Sequence, residues 1–204
     1  MRIAETRFAA IDFESAGSAP GRAEEPVQIA VAHLVGTAIT ESLCSYVKTE
    51  NPVTWAARKV HGITDAMIGD APHFVDLWPR IKSDMEGCWI VAHGAATEKR
   101  FLRVFPFHPF GPWVDTLVLA RAVYPRLSSH ALGDVIRAVG LDGEPEIRAD
   151  GFRWHDARCD AVASLVLLRH LVAVCGLADA EADVLRTATL ESYFRIRSDK
   201  SRQG

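Results

Sequence analysis

The chain has 204 residues, 49% of them hydrophobic and 24% charged. That is enough apolar material for one domain with a sizeable core, and too much for wholesale disorder. The formal net charge is −3, so no global basic field attracts polyanions, and any contact with phosphate needs local basic groups or bound cations. The four cysteines, Cys44, Cys88, Cys159 and Cys175, form no CxxC pair and read as reduced, mostly buried thiols rather than a disulfide frame or a zinc site.

In chain order, residues 7–14, 27–35 and 38–47 are short β-rich runs. SAGSAPGRAEEP separates the first two and Gly36-Thr37 the second pair, which predicts an antiparallel three-strand meander. From about residue 53 the period becomes helical, with Phe74, Leu77, Trp78, Ile81 and Met85 on one face. CWIVAH (88–93) reads as a short buried strand, followed by a helix from Ala95 to Phe105 that stops near Pro106. A brief strand at WVDT (113–116) precedes helices near 117–123 and 130–139, the second closed by Gly140. The strongest helix runs from about Asp156 to Cys175. Its apolar run, AVASLVLLRHLVAVCGL, is broken by Arg169 and His170, as suits a buried helix better than a membrane span. No signal-peptide pattern heads the chain, so a cytoplasmic protein without membrane attachment is expected. Strands first, then strands alternating with helices, predict a mixed sheet flanked by helices. Residues 1–176 form the expected domain; 177–204 form an extension with a helix near 179–195 and a basic end.

Three segments place acids where apolar residues surround them. In FAAIDFES, Asp12 and Glu14 are two apart and share one face of a strand whose other face carries Ala9, Ile11 and Phe13. Like charges so placed repel, and burial adds to the cost. A divalent cation removes both penalties, since hard cations prefer carboxylate oxygen; an edge strand with its acids in water is the alternative. In AHGAATEKRFL, Glu98 continues the stripe of Phe101, Leu102 and Phe105, either as an inward acid with a partner or as a first-turn glutamate favoured by the helix dipole. In WHDARCDA, His155 and Asp160 on one helix would point about 140° apart. A helix starting at Asp156, a good N-cap residue, resolves this: His155 stays on the loop and Asp160 is fixed on the first turn, a ligand beside a base suited to neutral pH.

The order of these motifs resembles the DEDD-type 3′–5′ exonucleases, the DnaQ-like superfamily, in the subgroup whose third motif carries histidine. DFES resembles its D-[FL]-E-[TS], HGAATEKRFL its second motif, HDARCDA its H-x-A-x-x-D-A, and VHGIT (60–64) a segment near its nucleotide pocket; VDTL (114–117) has the usual place. The likeness spans about residues 7–175. Two departures stand out. Gly94 replaces the usual Asn, and Glu98 replaces the usual Asp, which moves a carboxylate by on the order of 1 Å. The preceding aromatic is replaced by Thr97.

The resemblance implies a ribonuclease-H-like α/β fold with a mixed five-stranded sheet, an antiparallel meander plus parallel strands. It also implies release of nucleoside monophosphates from 3′ ends of single-stranded DNA or RNA. Two divalent cations, Mg²⁺ or Mn²⁺, would be held by Asp12, Glu14, Glu98 and Asp160, with His155 as general base. His61, Ser15 and His93 are the expected substrate contacts; the alternatives are a capping or core histidine at His61 and a residue that only positions the second motif at His93. A homodimer, or association with a separate polymerase chain, is left open. The alternatives are a weakened or inactive nucleic-acid-binding module of the same fold, and a phosphodiesterase acting on small nucleotides.

Overall fold

A computed structural model describes residues 1–186. Its centre is one five-stranded sheet of order β3-β2-β1-β4-β5. Strands β1 (Arg7–Ser15), β2 (Pro26–Val35) and β3 (Ala38–Tyr46) form the antiparallel meander, while β4 (Trp89–Ala92) and β5 (Trp113–Asp115) run parallel to β1. The expected strands are present with ends shifted by about a residue, the usual latitude at element ends.

Strand β1 is covered on both faces because its residues alternate between two cores. Ala9, Ile11 and Phe13 pack with α3 (Trp78–Met85) and α4 (Ala96–Leu102). Phe8 and Ala10 face the other way, into α5 (Thr116–Val123), α6 (Leu132–Ala138) and α7 (Ala157–Val174). The two-residue alternation therefore delivers Asp12 and Glu14 to the α7 side. The parallel partner β4 pairs with Phe8, Ala9 and Ala10 alone. Past Ala10 the sheet splits, and the crevice opens at the carboxyl ends of the parallel strands, where open α/β sheets receive ligands.

A third, smaller cluster of Ala16, Val27, Val53, Ile63 and Ile68 seats two short helices, α1 (Trp55–His61) and α2 (Asp65–Ile68), beside the end of β1. The helix expected from Phe74 is split into a 3-10 turn, Phe74–Leu77, and α3, which restarts at Trp78 with Pro79 in its first turn. A proline is tolerated there because its missing N–H is one the helix would leave unpaired.

The C-terminal extension differs from expectation. Ile3 and Ala4 donate to the carbonyls of Ala180 and Ala178, and Ala182 donates to that of Met1. With the Ala180 N–H donating to the Leu177 carbonyl, these bonds hold the segment in a turn, and among the described residues the 3-10 turn Ala182–Arg186 follows. Leu177, Ala182 and Leu185 are buried in the same core as α7. The remainder of the expected helix and the basic end lie outside the described residues. Cys44, Cys88 and Cys159 are free thiols, Cys88 and Cys159 buried but Cys44 exposed. Among the described residues no helix is long and apolar enough to cross a membrane.

Candidate active site

Four carboxylates meet in the crevice. The ligand atoms of Glu14, His155 and Asp160 lie within 4.8 Å of one another. Asp12 is held well above the ordinary carboxylate range, first by burial and then by the charges of Asp160, Glu98 and Glu14. Burial, with Asp160 and Asp156 behind it, pushes Glu14 up to about 8 against the pull of Arg153. Glu98 rises to about 7, mainly by burial, with a contribution from Asp115. Burial also carries Asp160 to about 7, opposed by the His155 N–H it accepts and assisted by Asp156. Like charges crowded at low dielectric raise one another in this way unless a cation intervenes.

Two oxygens sharpen the point: Glu98 Oε2 and Asp160 Oδ1 are buried without a hydrogen-bond partner. A buried acceptor left unpaired is unusual and calls for an absent donor or ion. Oxygen ligands of this charge fit a hard divalent cation.

His155 stands ahead of α7 in the left-handed region (φ 60°), where its N–H donates to Asp160 Oδ2 at 3.2 Å. Histidine visits that region more readily than most residues. The turn leaves the imidazole exposed beside Glu14 and Asp160. Asp156 is the N-cap, accepting from the Arg158 N–H at 3.1 Å, so imidazole and carboxylate reach the crevice from opposite sides of a helix start.

Comparison with known proteins decides the family. The sequence profile described as Exonuclease (RNase_T) matches residues 9–168. The chain belongs to this exonuclease family. Within it the chain is a member of the DEDD-type 3′–5′ exonuclease superfamily. It is 28% identical over 187 residues to exodeoxyribonuclease 10 of Escherichia coli K12, covering 90% of this chain and 77% of that one. It is 29% identical over 171 residues to a DNA polymerase III PolC-type of Thermotoga maritima, covering 81% of this chain but only 12% of that one. The structure superposes on exonuclease X in complex with 5′-overhanging duplex DNA with a TM-score of 0.68 at 25% identity, over 93% of this chain and 99% of that one. The sheet and its flanking helices thus have the ribonuclease-H-like form of the exonucleases.

The other expected contacts are placed as follows. His61 is buried; its Nε2–H donates to the Ser15 carbonyl at 3.0 Å and its Nδ1 accepts from the Ile63 N–H at 3.0 Å. Both nitrogens are committed to one neutral tautomer, and burial holds the ring below the usual histidine range; only its carbon edge and faces remain for a ligand. The Ser15 hydroxyl donates to Glu24 at 2.6 Å. With Glu14, Gly17, Thr54 and Val60, Ser15 and His61 line a cavity of about 310 Å³, of a size for one nucleotide. Gly17 is required in its wall: at φ 82° an added Cβ would come 2.3 Å from Thr54 Oγ1. A larger groove of about 680 Å³ lies past the Glu24–Arg100 ion pair and contains none of the four acids.

His93 has both ring nitrogens engaged by the protein. Its Nε2–H donates to the His130 carbonyl at 2.8 Å, and its Nδ1 lies 3.0 Å from the Thr116 hydroxyl. No ring nitrogen is left for substrate, and the ring ties the end of β4 to the start of α5.

Two supporting residues escape the sequence reading. Asp115 accepts four backbone N–H groups: those of Gly94 and Ala95, which launch α4, and those of Leu117 and Val118, which launch α5. Gly94 sits at φ 91°, which accounts for glycine where the family has Asn. Gln28, buried on β2 opposite Glu14, donates to Asp156 Oδ1 at 3.4 Å and accepts from the Ala157 N–H at 3.1 Å. An aspartate directly before a helix start was a visible signal for the first. Nothing local marked the second.

Proposed function

We propose that the protein is a divalent-metal-dependent exonuclease that removes nucleoside monophosphates from the 3′ end of a polynucleotide by a two-metal reaction. One observation carries the reading: four carboxylates from three distant segments face one crevice, two of them with buried unpartnered oxygens, beside an exposed imidazole. The names of the relatives, an exodeoxyribonuclease and a DNA polymerase, favour DNA as the polymer. The second of them supports use of the activity alongside a polymerase.

Asp12, central among the acids, would hold both cations; Glu14 and Asp160 complete one site and Glu98 contributes to the other. Bound there, the cations would supply neutralising charge, an acidified water and stabilisation of the leaving 3′ oxygen. His155 takes the proton of the attacking water; its exposed loop position allows it to deliver that proton to bulk solvent. The Asp160 carboxylate, by accepting the His155 N–H, holds the imidazole toward the crevice. The cavity beside Glu14 and Ser15 takes the terminal nucleoside, with the His61 ring packed against it.

The test is incubation of 5′-labelled DNA and RNA oligonucleotides with Mg²⁺ or Mn²⁺. A ladder shortening from the 3′ end is expected, with DNA faster, and His155→Ala should reduce kcat by roughly 10²–10⁴-fold. Intact oligonucleotides with both metals, or full activity in His155→Ala, would overturn the assignment.

A further inference from the structure

The outer ridge of α1 is unlike the rest of the surface. Helix α1 is seated by Ala57 and His61 and capped by the Thr54 hydroxyl, which accepts from the Ala57 N–H at 3.2 Å. Ala56 and Val60 line the wall of the 310 Å³ cavity. One ridge over, at the i, i+4 spacing that aligns side chains, stand Trp55 and Lys59. Trp55 is 69% exposed, an expensive position for the largest aromatic side chain in a protein with two apolar cores available. Lys59 Nζ lies over the indole, 5.2 Å from its centroid. That contact occupies one face of the ring and steadies it, leaving the other face to solvent. Arg58 is exposed beside them, α1 contains no acid, and among the described residues neither Arg58 nor Lys59 forms an ion pair.

We infer that Trp55, Arg58 and Lys59 form the track along which a single-stranded polynucleotide lies once its terminal residue is in the cavity, Trp55 stacking on a base and the two cations meeting phosphates. This rests on the proposed nuclease reading for the location of the terminal residue. A cavity of about 310 Å³ holds one nucleotide, so the remainder of the strand lies on its rim. Charge complementarity selects the occupant. The chain as a whole carries −3, yet this ridge presents two unpaired cations around an aromatic face. A second copy packed with its own α1 against this one, or an apolar segment, would bury both cations without counter-charge. Phosphates supply that charge at every step, and any base can stack on the open indole face.

The experiment uses the full chain and a fluorescently labelled oligothymidylate, which has no secondary structure. In EDTA, anisotropy reads binding without hydrolysis. Trp55→Ala should weaken binding about 5- to 150-fold, the effect of losing one stacked base, while Trp55→Phe keeps most of the affinity. Arg58→Ala with Lys59→Ala should lower the slope of log affinity against log salt by about 1.4, for two phosphate contacts on a single strand. With Mg²⁺, Trp55→Ala should raise KM more for the long oligomer than for a dinucleotide, which has a single residue outside the cavity. Unaltered affinity in Trp55→Ala would overturn the inference, as would an equal loss on dinucleotide and oligomer, which would place the residue in the cavity instead. Binding by the wild type without hydrolysis would sink the nuclease reading and leave the track standing; hydrolysis with Trp55→Ala binding as tightly as wild type would do the reverse.

Discussion

The acids of the crevice oppose folding when no cation is bound, and Glu14→Gln measures by how much. Glu14 lies at about 8 in the folded protein against an ordinary 4.5. A folded value above the unfolded one means that the native state binds more protons between the two. Stability is therefore fully present below about 4.5 and is lost as pH rises through about 8. The whole displacement corresponds to a ceiling of roughly 5 kcal/mol. Glu14 is partly exposed and shares its repulsion with Asp160 and Asp156, which reduces the expected effect to about 1–3 kcal/mol. Glutamine keeps the shape and removes the charge, and Glu14 donates or accepts no side-chain hydrogen bond that glutamine would break among the described residues. For a chain of this length each kcal/mol moves Tm by roughly 2–4 °C, so metal-free Glu14→Gln should melt about 3–10 °C above wild type at pH 8. At pH 5, close to the ordinary carboxylate value, the advantage should shrink to less than about 1 kcal/mol. Saturating Mg²⁺ or Mn²⁺ should reverse the order, since a ligand at 100 times its Kd stabilises the form that binds it by about 2.7 kcal/mol. Differential scanning calorimetry in EDTA and in metal, at both pH values, checks all three statements. A variant less stable than wild type at pH 8 in EDTA, or an advantage of equal size at pH 5, would refute the argument that the crevice is strained by its own charge.

The remaining predictions concern the parts that aim the acids. Asp115→Ala strips the acceptor from the starts of both α4 and α5 and should cost about 2–4 kcal/mol, two caps' worth; urea denaturation reads it, and a loss under 1 kcal/mol would show that water replaces the carboxylate. Glu98→Gln keeps the volume of the buried side chain but should abolish metal-dependent turnover of a 3′-labelled oligonucleotide. Glu98→Asp, which restores the family residue, should turn over as fast or faster in the same assay; a large loss would mean that this crevice is built around the longer arm.

Much of the fold and most of the acids could be read locally because each depends on a short-range period. Asp12 and Glu14 share a face because strand side chains alternate, and Glu98, Phe101 and Leu102 share one because a helix turns every 3.6 residues; all three of the latter are buried. Asp156 was a legible helix start for the same reason, since an N-cap is a contact within three residues. Where local pattern and tertiary contact disagreed, contact prevailed. The stretch after Leu177 has helical composition, but the N-terminal segment donates to its carbonyls, and as far as Arg186 it turns instead of winding into an α-helix. Trp55 reads by residue type as core or subsite packing, yet it stands in solvent.

What the sequence leaves illegible is the part that sets distances. Gln28 and Asp156 are 128 residues apart in the chain, and no spacing rule links them. Yet Gln28 sits across the strand pair from Glu14 and bonds both the cap side chain of α7 and its first N–H. A single buried amide thereby fixes the start of the helix bearing Asp160 against the strand bearing Glu14. Arg153, bonding Asp156 Oδ2 at 3.1 Å, supports the same cap from the solvent side and lowers the field on Glu14. The same reasoning explains why the acids can be crowded at all. Mutual repulsion would drive them apart on loops, but here the two from β1 stand on a strand packed on both faces. Asp160 stands on a helix pinned by Gln28, and Glu98 on one launched by Asp115. The rigidity of those three attachments, more than the identity of the acids, is what keeps oxygen atoms of like charge close enough for a cation to be their best partner.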